Sequence, residues 1–114
     1  MKKNLLRSKL IKIFINHKLT KKHSVICADY LIKAELVNAP SHGLARLTMY
    51  CDRIKKKLIN PKPKIKIKKI SSSVSYVNAD DSIGFVAADI GINQAINNAK
   101  KTGIGLVEIG RAHV

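Results

Sequence analysis

Three side chains with acid–base or anion-binding chemistry recur every four residues in segment 41–53, which reads SHGLARLTMYCDR. If this segment is helical, His42, Arg46 and Tyr50 lie along one side of it, because each step rises about 6 Å and rotates by about 40°. Ser41 can cap the start of such a helix through its side-chain oxygen. The spacing therefore predicts a polar stripe on a helix that opens at Ser41.

This stripe has the chemistry of a site for a small organic acid. A histidine exchanges a proton near neutral pH, and an arginine binds a carboxylate through two parallel hydrogen bonds. A tyrosine hydroxyl adds a neutral donor, and the amides of a helix N-terminus favour an anion near His42. A 2-hydroxy or 2-oxo acid suits these groups. Taken alone, such spacing more often marks an exposed helix with amphipathic side chains, and that alternative stays open.

Apolar periodicity predicts three helices in the first half of the chain. The first covers about residues 4–16, and the second begins after Thr20, whose hydroxyl can cap it. The second helix should end near Val37, because the residue before Pro40 is forced out of helical geometry. The third opens at Ser41 and has an apolar stripe formed by Leu44, Leu47, Cys51, Ile54 and Leu58. We expect these helices to form one packing unit.

Composition changes after Leu58, where the prolines of segment 60–63 cannot continue a helix. Alternating lysine and isoleucine predict a strand at 64–70 with one solvated face, of the kind that protects a sheet edge. The remaining expected elements are a short strand at 74–77, a polar loop at 78–82, a helix at 84–101 and a buried strand at 104–109. The sequence therefore predicts a mixed α/β fold.

The helix expected at 84–101 has an apolar face at helical spacing, formed by Phe85, Ala88, Ile92, Ala95, Ile96 and Ala99. Two lysines, Lys100 and Lys101, favour the negative end of the helix dipole. Gly103 provides a left-handed stop.

The net charge of +15 favours nucleic acid as a partner, since cationic surfaces release counterions from phosphate backbones. Two features oppose that interpretation. The basic residues are mainly lysine rather than the bidentate arginine, and an aromatic content of 4% leaves little for base stacking. Joint enrichment in lysine, isoleucine and asparagine is typical of AT-rich coding sequence. We expect no nucleic-acid partner and keep a small basic nucleic-acid-binding protein as the alternative.

The two cysteines, Cys27 and Cys51, are too few and too isolated for a disulfide framework or a zinc site. Both lie in helical patterns, so we expect small core residues, no metal and a reduced, cytoplasmic protein. Arg7, Lys9 and Lys12 interrupt the apolar N-terminal segment, which argues against a secretory signal. Since no segment has enough consecutive apolar residues to cross a bilayer, we expect no membrane partner.

Five motifs occur in order between residues 28 and 107, namely ADYLIKAEL, SHGLAR with Tyr50 following, KLINPKPKI, NADDSIG and KKTGIGLV. In order and spacing they resemble the malate/L-lactate dehydrogenase family, which also contains ureidoglycolate, sulfolactate and diketogulonate oxidoreductases. The most specific of them is SHG-x-x-R. The fold that this resemblance implies is distinct from the Rossmann fold of other dehydrogenases.

The resemblance implies an NAD(P)-dependent oxidoreductase that interconverts a small 2-hydroxy acid and its 2-oxo acid, with NAD or NADP as cofactor. His42 matches the family's proton donor or acceptor, and Arg46 matches its contact to the substrate carboxylate. Ser41 and Tyr50 would be adjacent substrate-pocket positions. The residues that bind the cofactor stay unassigned, and the full-length protein is expected to be a homodimer.

The resemblance also implies an N-terminal fragment, since family members run to several hundred residues. Residues 1–58 would form a helical subdomain with the SHG-x-x-R motif, and residues 59–107 would begin the mixed α/β domain. The isolated fragment would expose apolar surface at 84–101 and 104–107 and would be inactive. Pro40 departs from the family pattern, which usually has an acidic residue before SHG, and this puts the local geometry in question.

The end of the chain, EIGRAHV, is the translation of GAG ATC GGA AGA GCA CAC GTC, which resembles a common sequencing-library adapter. We therefore expect residues 108–114 to be a non-native tail, and His113 is not equated with the family's second active-site histidine. Resequencing of the locus tests this origin, and a natural stop codon directly after Val114 would exclude it.

Overall fold

The computed structural model describes residues 3–113, which divide into two compact units on either side of the Lys62–Pro63 bond. The first unit is helical, and the second combines one helix with a mixed three-stranded sheet. The mixed α/β class predicted from the sequence is confirmed.

The first unit contains three α-helices, α1 at Lys3–Asn16, α2 at Lys21–Leu36 and α3 at Leu47–Lys55. Two short 3-10 turns, Pro40–His42 and Leu44–Arg46, connect α2 to α3. The third predicted helix is therefore shorter than expected at both ends, because it begins after Ser41 and ends before Leu58.

Both ends of α2 have defined caps. Thr20 has an extended backbone, and its side-chain oxygen accepts a hydrogen bond from the His23 amide at 3.2 Å, which confirms the predicted cap. At the other end Asn38 is left-handed, with a φ of 58°, and the Ala39 amide donates to the Ala34 carbonyl at 2.9 Å. This Schellman motif ends the helix and leads the chain into the first 3-10 turn.

The helices of the first unit pack around a hydrophobic cluster formed by Leu10 of α1 and by Ala28 and Ile32 of α2. Leu44 and Leu47, which belong to the predicted apolar stripe, pack against this cluster. The second 3-10 turn and the start of α3 are thereby anchored on α1 and α2.

The second unit contains four elements, β1 at Lys66–Lys69, β2 at Val74–Asn78, α4 at Gly84–Thr102 and β3 at Leu106–Gly110. β1 pairs antiparallel with β2, where Ile67 lies opposite Val77, and β3 pairs parallel with β2, where Ile109 lies opposite the same valine. Helix α4 is the long crossover that a parallel pair requires. All four residues of β1 are exposed, so the prediction that only one of its faces is solvated is wrong.

Half of the apolar positions predicted for α4 are exposed, and the other half are partly buried. Val86 and Ala87 are buried, whereas Ile92 and Ile96 are 53% and 45% exposed. The predicted extent of the helix and the left-handed stop at Gly103, with a φ of 92°, are confirmed. The sequence pattern therefore identified the helix, and the predicted exposure of apolar surface at 84–101 is confirmed at Ile92 and Ile96.

Polar side chains account for part of the buried face of α4. The Asn98 amide nitrogen donates to the Ser75 hydroxyl of β2 at 3.0 Å, and the Gln94 amide nitrogen donates to the Asn98 amide oxygen at 3.2 Å. These bonds satisfy groups that are costly to bury without partners. Because these side chains are polar, a pattern of apolar residues does not reveal that this face of α4 is buried.

Apolar side chains around β3 are exposed, with Ile104 at 67% and Leu106 at 63%. A strand forms at Leu106–Gly110 in place of the predicted 104–109 and is not buried by the described residues, and the predicted exposure of apolar surface at 104–107 is confirmed. Glu108 lies in β3 opposite Tyr76. This pairing does not test the adapter origin of residues 108–114, which stays a prediction, and Val114 lies outside the described residues.

Candidate active site

The predicted site residues lie on two 3-10 turns and on α3 rather than on one helix. Ser41 and His42 belong to the first turn, Arg46 ends the second, and Tyr50 lies in α3. Gly43 separates the turns with a φ of −106° and a ψ of −133°, which interrupts helical geometry between the histidine and the arginine. The prediction of a single helical stripe is therefore wrong.

The hydroxyl of Ser41 contacts the imidazole of His42, with Oγ at 2.9 Å from Nδ1. Both residues are exposed. Ser41 does not act as the predicted cap of α3, because Arg46 occupies the N-cap position and makes no side-chain capping bond. Since Nδ1 is engaged by the serine, Nε2 is the ring nitrogen left to exchange a proton with a ligand.

Arg46 presents a guanidinium that makes no hydrogen bond or ion pair with any residue from 3 to 113. Its backbone amide donates to the Gly43 carbonyl at 3.0 Å, which fixes the residue on the second 3-10 turn. An arginine held by its backbone, with a free side chain, can bind a carboxylate through both of its terminal nitrogens.

Tyr50 is only 5% exposed, and it lies one helical turn before Ile54, which is also buried. Because α3 begins only at Leu47, Tyr50 is fixed by the packing of this helix and not by the turns that carry His42 and Arg46.

Glu35 also belongs to the surroundings of the site, although no sequence pattern singled it out. It lies near the end of α2, and its Oε1 accepts a hydrogen bond from the Leu44 amide at 2.8 Å. The only signal in the sequence is an isolated acidic residue shortly before SHG in a strongly basic chain.

A cavity of about 750 Å³ lies in the first unit. Its described lining residues are Asn16, His17, Lys18, Ile54, Lys55, Lys57, Ile59, Asn60 and Pro61. Ser41, His42, Arg46 and Tyr50 are not among them, so none of the predicted site residues lines this cavity.

Among residues 3–113, no three histidine, cysteine, aspartate or glutamate side chains are grouped as a metal ion would require. None of the helices in the described part of the chain is both long and apolar enough to span a bilayer. Cys27 and Cys51 are free thiols.

The sequence profile of the malate/L-lactate dehydrogenase family matches residues 1–114. The chain belongs to this family. Malate/(S)-sulfolactate dehydrogenase from Methanothermus fervidus is 37% identical over 103 residues, which cover 90% of this chain and 30% of that protein. Ureidoglycolate dehydrogenase (NAD(+)) from Escherichia coli K12 is 31% identical over 93 residues, covering 82% of this chain and 27% of that protein. The resemblance inferred from the motifs is confirmed.

Solved structures of this malate/L-lactate dehydrogenase type have the same fold over their matching part. Sulfolactate dehydrogenase from Methanocaldococcus jannaschii aligns with a TM-score of 0.95 and 30% identity, covering 99% of this chain and 33% of that chain. The present chain thus spans about a third of that structure and 30% of the Methanothermus relative.

Proposed function

We propose that the full-length protein containing this chain is an NAD(P)-dependent oxidoreductase that interconverts a small 2-hydroxy acid and its 2-oxo acid. The observation that carries this proposal is the exposed Ser41–His42 pair followed by the unpaired guanidinium of Arg46, in a member of the malate/L-lactate dehydrogenase family. The names of relatives, which are dehydrogenases of malate, sulfolactate and ureidoglycolate, support an acid of this class.

His42 moves the proton in this reaction. During oxidation the substrate hydroxyl passes its proton to Nε2 of His42 while the carbon–oxygen double bond forms, and during reduction His42 returns the proton to that oxygen. The hydroxyl of Ser41, 2.9 Å from Nδ1, keeps the ring oriented. When bound, the nicotinamide cofactor accepts or supplies the hydride.

Arg46 binds the substrate carboxylate. Its guanidinium makes no bond within the described residues, so that no existing ion pair has to be broken when an anion arrives. Tyr50 completes the pocket as a wall residue, and because it is 5% exposed only an edge of its side chain can touch a ligand.

The groups on the two turns fit the organic acid rather than the cofactor, because imidazole and guanidinium match an ionisable hydroxyl and a carboxylate. We assign no described residue to the nicotinamide. The name of the Escherichia coli relative includes NAD(+), which supports NAD, and NADP remains the second option.

We also propose that the full-length protein is a cytoplasmic homodimer. The two free cysteines support a reducing compartment. The exposed isoleucines of α4 support burial against further protein. Binding to nucleic acid is supported only by the net charge of +15 and is not proposed.

The test uses the full-length protein, which is offered malate, sulfolactate and ureidoglycolate with either NAD or NADP, while nicotinamide absorbance is followed. We expect turnover of at least one acid, and we expect His42→Ala to lower kcat by about a hundred- to ten-thousandfold. His17→Ala is the matched control, because His17 lies directly after α1, where its ring donates to the Ile13 carbonyl, and its removal is expected to leave kcat unchanged. If His42→Ala turns over the acid as fast as the wild type, His42 does not move the proton and has only a structural role.

A further inference from the structure

The carboxylate of Glu35 binds the backbone of the turn that carries His42. Its Oε1 accepts a hydrogen bond from the Leu44 amide at 2.8 Å, across nine positions of sequence. Glu35 lies in the last turn of α2, whereas Leu44 opens the second 3-10 turn two residues after the histidine. The bond therefore ties this segment directly to a helix of the core.

This use of a carboxylate differs from that of the other acidic residues in the described part of the first unit. Asp29 forms an exposed ion pair with Arg7 at 2.7 Å, and Asp52 forms one with Lys56 at 3.0 Å. Glu35 makes no ion pair with the described residues, although the chain has 22 lysine and arginine residues. Its carboxylate instead accepts a hydrogen bond from the backbone amide of Leu44.

Gly43 shows how closely the turn fits this carboxylate. Gly43 is buried, and a Cβ placed there would lie 2.9 Å from Cδ and 3.0 Å from Cγ of Glu35, and would collide with its Oε1. A side chain at this position would displace the carboxylate end of Glu35 from its present place. The backbone at Gly43 and the carboxylate of Glu35 are therefore in direct contact on the C-terminal side of His42.

The turn has no side-chain cap of its own. Neither the second 3-10 turn nor α3 has a capping hydrogen bond from the residue that precedes it. The first amides of a helical segment need acceptors from elsewhere, and a carboxylate is a strong one. Leu44 thus receives its acceptor from Glu35 while its side chain packs on the hydrophobic cluster, so that both its backbone and its side chain are fixed.

We propose that Glu35 is a positioning residue, which holds the His42–Gly43–Leu44 segment in the conformation that presents the His42 imidazole to substrate. The effect on turnover rests on the proposed function, whereas the effect on the segment itself can be measured without any substrate. Acceptance of the Leu44 hydrogen bond, rather than negative charge, is the property of Glu35 that matters.

The first test compares three variants of the full-length protein. Glu35→Ala removes the acceptor and is expected to lower kcat by about ten- to a hundredfold, because a displaced catalytic group loses its alignment. The KM for the cofactor is expected to stay unchanged. Glu35→Gln keeps an amide oxygen that can accept from Leu44 and is expected to restore most of kcat. Asp29→Ala removes the same charge from the same helix and is the control.

A double-mutant cycle tests the contact between Glu35 and Gly43. Gly43→Ala is expected to lower kcat, since the added methyl displaces the carboxylate. In the Glu35→Ala variant there is no carboxylate for the added methyl to displace. The loss of kcat caused by Gly43→Ala is therefore expected to be several-fold smaller in that variant than in the wild type. Equal losses in both backgrounds would show that the two residues act independently and would overturn the proposal.

Amide hydrogen exchange gives the readout that needs no activity. Glu35→Ala is expected to speed exchange at Leu44 by about tenfold or more and to shift the NMR signals of the His42 ring, while amides of α4 keep their rates. If the wild type turns over no acid, the proposed function fails, but these changes still support Glu35 as the residue that holds the turn. Unchanged exchange at Leu44, unchanged kcat in Glu35→Ala, or equal damage by Glu35→Gln would overturn it.

Discussion

Oγ of Ser41 lies 2.9 Å from Nδ1 of His42, so the residue directly before the histidine in the chain also contacts its ring. A hydroxyl can donate to Nδ1 or accept from it, and the direction of this bond determines what Nε2 can do. When the serine hydroxyl accepts a hydrogen bond from Nδ1–H, Nε2 has the free lone pair that a proton acceptor needs. The direction of the Ser41–His42 hydrogen bond therefore determines whether Nε2 of His42 can accept a proton.

Ser41→Ala is expected to lower kcat by about fivefold, the factor that corresponds to one net neutral hydrogen bond of about 1 kcal/mol. Ser41→Thr keeps the hydroxyl and is the matched control. Steady-state kinetics of the full-length protein provide the measurement. Equal activity of Ser41→Ala and wild type would show that the serine hydroxyl does not orient the ring during turnover.

Arg46→Lys is expected to lower kcat/KM for the 2-oxo acid by about ten- to a hundredfold, even though the positive charge is kept. An ammonium cannot form two parallel bonds to one carboxylate, and a charge-assisted hydrogen bond contributes about 1.5–3 kcal/mol. Arg7→Lys is the control, because Arg7 pairs with Asp29 on the surface. If both substitutions have the same small effect, Arg46 does not bind the substrate carboxylate.

The features that the sequence predicted correctly are those that depend on short-range interactions along the chain. The cap at Thr20 and the left-handed stop at Gly103 each depend on one residue and its near neighbours, and both are present. The 3-10 turns before α3 were missed because a spacing of four residues between His42 and Arg46 suits a continuous helix equally well. The spacing of these residues gives no sign that Gly43 interrupts the helical geometry.

Contacts between distant residues account for the other differences. The bond from Leu44 to Glu35 joins positions whose side chains have no shared periodicity. The face of α4 that packs on the sheet includes Asn98, which is buried because Ser75 of β2 accepts its hydrogen bond at 3.0 Å. Such partners are known only once the elements are packed, so apolar patterns do not identify them.

Leu31→Ala is expected to lower the free energy of unfolding by about 2–5 kcal/mol, because Leu31 is fully buried in α2 and its removal leaves a cavity. Leu36→Ala lies on the same helix, where the leucine is 63% exposed, and is expected to change that free energy by less than about 0.5 kcal/mol. Urea denaturation of the two variants and the wild type gives the comparison. Similar losses in both would mean that Leu36 is covered in the full-length protein.

The two cysteines are expected to react at different rates. Burial raises the pKa of the Cys27 thiol to about 12, and burial also raises the pKa of Cys51, where nearby Lys55 opposes the shift. Cys27 is fully buried in α2, whereas Cys51 is partly exposed in α3. At about pH 8 iodoacetamide should therefore modify Cys51 first, since the thiolate is the reactive form.

Mass spectrometry of the labelled full-length protein separates the two sites. Cys51→Ser is expected to abolish the fast phase of labelling and to leave only slow modification of Cys27. Denaturation in urea should remove the difference, because both thiols then have ordinary pKa values and full access. Fast labelling of Cys27 in the native protein would show that α2 opens easily.

His23 is expected to make the protein less stable in mild acid. Its partial burial lowers the pKa of His23 below the ordinary value of 6.5, and the neighbouring charge of Lys22 lowers it further. The unfolded chain then binds a proton at a pH at which the folded chain does not. The contribution of His23 to the free energy of unfolding should be constant above about pH 7 and should fall as pH drops through 6.5 towards the folded pKa.

Histidine NMR of the full-length protein measures the His23 pKa directly, with His23→Gln assigning the signal. Lys22→Gln is expected to raise this pKa towards 6.5 without reaching it, because burial is the larger cause and persists in the variant. His23→Gln should also flatten the dependence of stability on pH between about pH 5 and 6.5, whereas Lys21→Gln, which removes a neighbouring charge that does not affect the ring, should leave it unchanged. A His23 pKa above 6.5 in the folded protein would reverse the sign of this dependence and contradict the partial burial of the imidazole.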